Sequence, residues 1–292
     1  MHMPRGKKKL KAGKSLPQSP SPKIKPEDWR AHDPQITEDL WLIPQRDKSG
    51  EHIGDYHGNF VPQIANRLVL RFTEAGDVVL DGFAGSGTTL IECRRLGRHA
   101  LGFELSPDIC RLAEGRSGKE PNSFGVHTEV QCADSSSNKA AASCHRFLKR
   151  LDSEYFDLLI LHPPYSDIIS FSHDKHDLSR LGDPDEFADG FMSVYSNLLP
   201  FLKDGGFIGV VIGDKYDEGE VIPLGSILLQ RILAKGGVRL KGFIVKDIQH
   251  NRAKRNLDHL WRYRALKGDF FIFKHEYVLV FQKRKSAFFG NK

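Results

Sequence analysis

The sequence predicts one α/β domain: a mostly parallel, seven-stranded sheet with helices on both faces. Two observations lead there. Short runs rich in Val, Ile, Leu and Phe alternate with segments of helical periodicity, and strands that alternate with helices pair in parallel. Two of the strand-like runs also open into turns built from glycine or proline and flanked by polar residues, at Asp81–Thr89 and His162–Tyr165. The length, 292 residues with 39% apolar and 27% charged side chains, suffices for one large core.

Taken in order, residues 1–28 are rich in Lys, Pro and Ser (Lys7-Lys8-Lys9, then Pro17 to Pro26) and nearly devoid of apolar side chains. Such a segment buries too little surface to offset its ordering entropy, so a flexible basic tail is expected. Residues 29–292 are expected to form a single catalytic domain. Ile64, Leu68 and Leu70 suggest a short helix before the first core strand, Asp77–Leu80. A helix over Thr88–Leu96, a strand over His99–Phe103 and a helix opened by Ser106-Pro107 follow. Val126–Cys132, Asp157–Leu161 and Phe207–Ile212 read as further strands, with a helix through Phe187, Phe191, Tyr195 and Leu198 stopped by Gly205-Gly206. Pro223 opens a last long helix, and Val238–Val245 and Tyr277–Phe281 close the sheet.

Composition narrows the function classes. The formal charge of +6 and pI near 9.0 lean towards an acidic partner. Four cysteines (Cys93, Cys110, Cys132, Cys144) form no CxxC pair or zinc-ligand spacing, so free thiols and no metal are expected. No run approaches the ~20 apolar residues of a membrane span, and no hydrophobic leader core opens the chain, so a cytoplasmic location is expected.

The glycine-rich turn, Asp81-Gly82-Phe83-Ala84-Gly85-Ser86-Gly87-Thr88-Thr89, lies between a strand and a helix, where glycines admit a ligand close to the backbone. Thr88 stands where a phosphate-binding loop needs lysine, and Leu90 where a dinucleotide fingerprint needs its third glycine. The turn therefore suits a cofactor without phosphates, such as S-adenosylmethionine. Glu104, ending the second strand, can accept both ribose hydroxyls, and Asp134 the adenine amine. Asp81 would orient the loop and the methionine ammonium. Each carboxylate could instead cap the helix that follows it.

His162-Pro163-Pro164-Tyr165 suits an exocyclic base amine, whose lone pair is delocalised into the ring. Hydrogen-bond acceptors on the amine protons, the side chain at 162 and the Pro163 carbonyl, would draw that nitrogen towards tetrahedral geometry. The prolines fix the carbonyl and offer no competing N–H. Tyr165 would stack on a base that has left its duplex. The loop has no Cys, as a C5-cytosine mechanism would require. A Pro-Pro pair that merely ends a strand at a turn is the plainer alternative.

These two segments resemble the cofactor motif and the catalytic tetrapeptide of the DNA amino-methyltransferases, the adenine-N6 and cytosine-N4 family. Tyr56-His57-Gly58-Asn59-Phe60-Val61-Pro62 is similar to the segment closing over the cofactor's methionine end, and Gly205–Asp214 to the fifth strand and its loop. The similarity spans roughly residues 55–283. It implies a Rossmann-like class I methyltransferase fold and methyl transfer from S-adenosylmethionine, leaving S-adenosylhomocysteine, to a base flipped out of DNA. Tyr56, His57, Phe60, Phe83, Gly85, Ser86, Gly87, Thr88 and Leu105 would join Asp81, Glu104 and Asp134 in the cofactor site. The cofactor motif precedes the tetrapeptide, whereas many members have the reverse order. His162 stands where the family has Asp or Asn for adenine and Ser for cytosine. The non-acidic side chain tilts the reading towards cytosine N4, and activity is expected to fall as His162 protonates between about pH 8 and 5.

Specificity is expected from insertions near 166–183 and 246–269, the second carrying Arg252, Lys254, Arg255, Arg262, Arg264 and Lys267 among aromatics, a pattern for phosphate contact and stacking. A solvated basic helix is the alternative there. The same clamp could serve an amine in RNA, or persist in a cofactor-binding protein that has lost catalysis. Neither oligomeric state nor a companion endonuclease is legible.

Overall fold

The computed structural model describes residues 20, 22–56, 58–165, 177–217, 219–248 and 258–285. Ten strands run in chain order: β1 Leu40–Trp41, β2 Val78–Asp81, β3 His99–Glu104, β4 Thr128–Cys132, β5 Phe156–Leu161, β6 Leu202–Ile212, β7 Lys215–Asp217, β8 Glu220–Ile222, β9 Val238–Asp247 and β10 His275–Lys283. Seven α-helices accompany them: α1 Pro62–Phe72, α2 Thr88–Leu96, α3 Pro107–Lys119, α4 Asn138–Arg150, α5 Pro184–Leu198, α6 Leu224–Lys235 and α7 Asp258–Lys267.

The main sheet has the order β1-β9-β10-β6-β5-β2-β3-β4, with β10 antiparallel to both its neighbours and the other pairs parallel; β7 and β8 form a separate hairpin. It therefore holds eight strands where seven are expected. The addition is β1, whose two residues pair with Val245 and Lys246. A two-residue strand has no alternation to read, and its place is fixed by the buried indole of Trp41, which donates to the Glu38 carbonyl at 3.0 Å.

β5 is buried along almost its whole length, so successive residues serve two cores. Leu158 and Ile160 pack with Ile64, Leu68, Leu90 and Ala113 of α1–α3. Leu159 and Leu161 pack with Phe147, Phe187, Phe191 and Leu228 of α4–α6. Full burial on both faces is what a continuous apolar run such as Asp157–Leu161 encodes. Caps set the helix starts: Asp183 accepts from the Asp185 and Glu186 amides at 2.9 Å, with Pro184 in the first turn of α5.

Two local expectations are corrected. α4 is not foreseen between β4 and β5, although Ala140, Cys144, Phe147 and Leu148 have helical spacing, because Ala and Cys contribute little apolar signal. Gly205-Gly206 does not end a helix; both lie inside β6, which begins at Leu202, and Gly205 has φ of +80° where the register against β5 shifts. Glycine there marks an irregularity that only a residue without Cβ adopts easily.

The chain places β3 and β4 on one side of β2, then returns to place β5 and β6 on the other. β2 and β5 are neighbours, with Asp81 opposite Ile160. The glycine turn and the His-Pro-Pro-Tyr segment consequently leave the carboxyl ends of adjacent strands at the switch point, where open α/β sheets hold ligands.

Candidate active site

The glycine turn is stitched down by its backbone. Ala84 N–H donates to the Phe103 carbonyl (2.8 Å) and Gly87 N–H to the Ala84 carbonyl (2.9 Å). Gly85 sits at φ of +50°, and a Cβ there would lie 3.4 Å from the Tyr56 ring. Asp81 is fully buried and accepts from the Phe83 amide at 2.9 Å. Burial raises its carboxyl to about 6, with the Thr89 hydroxyl and the Phe83 amide pulling the other way. Ser86 donates to the Asn59 amide oxygen at 2.7 Å, and Gly87 opens α2 ahead of the buried Thr88. Asp81, Ser86, Gly87 and Thr88 thus build the loop from beneath and are not among the residues lining the cavity above it.

That cavity holds about 380 Å³ and lies across both turns. Of the expected cofactor residues, Tyr56, Phe60, Phe83, Gly85, Glu104, Leu105 and Asp134 line it, as do all four of His162, Pro163, Pro164 and Tyr165. His57 lies outside the described residues. Glu104 accepts from the Ser106 amide at 2.8 Å. Burial raises its carboxyl to about 7, opposed by the Ser106, Gly85 and Leu105 amides. Asp134 accepts from the Ser136 amide and hydroxyl, each at 2.8 Å.

His162 stands with its ring edge-on to Phe60, centroids 4.9 Å apart. Its Nε2 lies 3.3 Å from the Tyr165 hydroxyl, which donates to Glu276 Oε2 at 2.8 Å. The other Glu276 oxygen meets Lys246 Nζ at 3.0 Å. Lys246 and Glu276 face each other directly across β9 and β10, are both buried, and also line the cavity. Sequence reasoning missed both. Gly213, at the end of β6, completes the seat of Tyr165, since a Cβ there would lie 2.9 Å from that ring.

Burial pushes the His162 imidazole down to about 4; Glu276 opposes this and Lys246 reinforces it. The expected loss of activity between pH 8 and 5 is therefore corrected: the ring is neutral, and able to accept a hydrogen bond, throughout that range.

The basic insertion is divided. Arg252, Lys254 and Arg255 lie outside the described residues. Arg262, Arg264 and Lys267 project from α7 into solvent, with Arg264 5.4 Å over the Trp261 ring. Tyr263, Leu266 and Phe271 beside them are exposed, Phe271 by 90%. Of the first insertion, Asp177 and Leu178 line the cavity, and residues 166–176 lie outside the described part. No helix among the described residues is long and apolar enough to cross a membrane. All four cysteines are free thiols.

An alternating sheet with one antiparallel strand, and a ligand cavity at its switch point beside the glycine turn, is the class I methyltransferase fold. Residues 4–115 match the family model of a DNA methylase, N6_N4_Mtase. Relatives agree: Type II methyltransferase M.MjaII of Methanocaldococcus jannaschii is 38% identical over 76 residues, 26% of this chain and 14% of the relative. M.HindIII of Haemophilus influenzae is 45% identical over 62 residues (21% and 20%), and M2.LlaDCHI of Lactococcus lactis subsp. cremoris 31% over 88 (30% and 33%). The chain spans a third or less of these relatives' own lengths. Among solved structures it is similar to TrmN from Thermus thermophilus, at TM-score 0.47 and 17% identity over 77% of this chain and 49% of that one. The chain is thus similar over residues 4–115 to the DNA methylase family, and over shorter stretches to Type II methyltransferases.

Proposed function

We propose that this chain transfers a methyl group from S-adenosylmethionine to the exocyclic amine of a base flipped out of DNA, and that the base is cytosine, modified at N4. The observation that carries the reading is the single cavity reaching from Glu104 and Gly85 to His162 and Tyr165.

The residues present fit this cofactor. Among the described residues, four carboxylates, Glu104, Asp134, Asp177 and Glu276, line the cavity against one ammonium, that of Lys246. Such a balance repels the phosphates of a nucleotide or nicotinamide cofactor and attracts a sulfonium with an α-ammonium. Half-buried Asn59 offers a buried amide Nδ2 with no hydrogen-bond partner among the described residues, a donor at the cavity wall for the methionine carboxylate. Glu104 would accept the ribose hydroxyls. The cofactor, when bound, supplies an electrophilic methyl group.

The chain's own residues then act on the amine. His162 and the Pro163 carbonyl each accept one of its protons, raising lone-pair density on nitrogen and aiming it at the methyl carbon. The neutral imidazole of His162 would then take the proton that the amine loses on methylation. Tyr165 offers a ring face to the base, and the exposed cations of α7 neutralise backbone phosphates.

Incubation with methyl-labelled S-adenosylmethionine and either duplex DNA or tRNA tests this. Label in DNA is expected. Label confined to tRNA would assign the clamp to RNA, and label in neither would indicate a binding protein without catalysis.

A further inference from the structure

The buried pair on β9 and β10 has a consequence for the tetrapeptide, on the reading that His162 receives the target amine. A carboxylate only accepts hydrogen bonds, and an ammonium only donates them. With Lys246 at 3.0 Å holding one oxygen of Glu276, the other faces the Tyr165 hydroxyl at 2.8 Å. The phenol must therefore spend its single proton on Glu276. Burial and the adjacent carboxylate hold that phenol protonated well above its ordinary titration. Its oxygen can then only accept from His162 Nε2, 3.3 Å away, which makes the imidazole the Nε2–H tautomer. The lone pair is left on Nδ1.

We propose that Lys246 and Glu276 are positioning residues of this site: the lysine-anchored carboxylate fixes the direction of the Tyr165 and His162 hydrogen bonds, and so presents the Nδ1 lone pair to the target amine. The family's usual residues at position 162, Asp, Asn or Ser, carry an oxygen that accepts without choosing a tautomer. Histidine accepts on one nitrogen only, and the pair across β9 and β10 decides which.

The test uses Glu276→Gln, close to isosteric. Lys246 still demands an acceptor, so the amide oxygen turns to it and the amide NH₂ to the Tyr165 oxygen. The phenol proton is then pointed at His162 Nε2, and the imidazole becomes the Nδ1–H tautomer, unable to accept on Nδ1. ¹⁵N-histidine NMR of the whole protein should show His162 as Nε2–H in the wild type and Nδ1–H in Glu276→Gln. Turnover should fall at least about tenfold while KM for S-adenosylmethionine changes less than about twofold. Adding Lys246→Met frees the amide to rotate, and should restore the Nε2–H tautomer and part of the rate. An Nδ1–H wild type, a Glu276→Gln protein that keeps tautomer and rate, or a double variant without rescue would overturn the proposal. The NMR reads the tautomer without substrate. A wild type with the stated tautomers but no methyl transfer would instead sink the methyltransferase reading and leave the hydrogen-bond order supported.

Discussion

The Tyr165 hydroxyl donates to Glu276 at 2.8 Å, joining the tetrapeptide after β5 to the strand nearest the end of the fold. The ring and the hydroxyl of Tyr165 therefore do separate work. Tyr165→Phe keeps the stacking face and removes the link, and should lower single-turnover methylation by about tenfold with DNA affinity unchanged. Tyr165→Ala removes the face as well. It should weaken binding of DNA carrying an abasic site or mismatch opposite the target base by a further ~1–3 kcal/mol, read by fluorescence titration.

Turnover with cofactor saturating should be level from pH 5 to 8 as far as His162 governs it. The sign follows from a base whose folded-state value is depressed to about 4. The neutral, accepting form persists above that value, and rate is lost only as pH falls through it. The same depression costs stability in the window from the ordinary value of 6.5 down to about 4, where the unfolded chain takes up a proton that the folded one refuses. Thermal unfolding of His162→Gln should show a shallower loss of stability across that window than the wild type.

Cofactor affinity, unlike turnover, should change within the range from pH 5 to 8. Burial holds Glu104 up near 7, and on the proposed reading only its ionised form would accept two ribose hydroxyls. Affinity for S-adenosylmethionine should weaken as pH drops below 7, by up to about tenfold per unit. Glu104→Gln should bind at least about tenfold more weakly at pH 8 and show little pH dependence. Isothermal titration of both proteins between pH 5.5 and 8.5 checks this.

Much of this site is legible in the sequence because its two halves are local. The glycine turn and the tetrapeptide each follow an apolar run directly, so strand, turn and chemistry appear in adjacent residues. Lys246 and Glu276 are hidden for a physical reason. A strand that ends at a polar cavity ends on polar residues, so an apolar reading stops β9 at Val245 and begins β10 at Tyr277, one residue short of each. Their pairing is also a fact of antiparallel register between strands separated by α7, and no local pattern records it. Asp81 shows the converse: its place at the strand end is legible, yet its side chain turns inward to hold Phe83. Helix α4 was recoverable from its spacing but not from its hydrophobicity.

The exposed face of α7 should contribute affinity without sequence preference. Arg262→Ala and Arg264→Ala should each reduce the slope of log K against log salt by about one and weaken binding to cognate and unrelated duplexes alike. Equal affinity at all salt concentrations would assign that face to another role.

The most direct measurement is the identity of the nucleoside methylated in duplex DNA, determined by mass after digestion, for the wild type and for His162→Ala. On the proposed reading, with the cofactor on Glu104 and the base amine on His162, the wild type should yield N4-methylcytosine, and the variant at least about 100-fold less. Recovery of 5-methylcytosine, or an undiminished yield from His162→Ala, would contradict it.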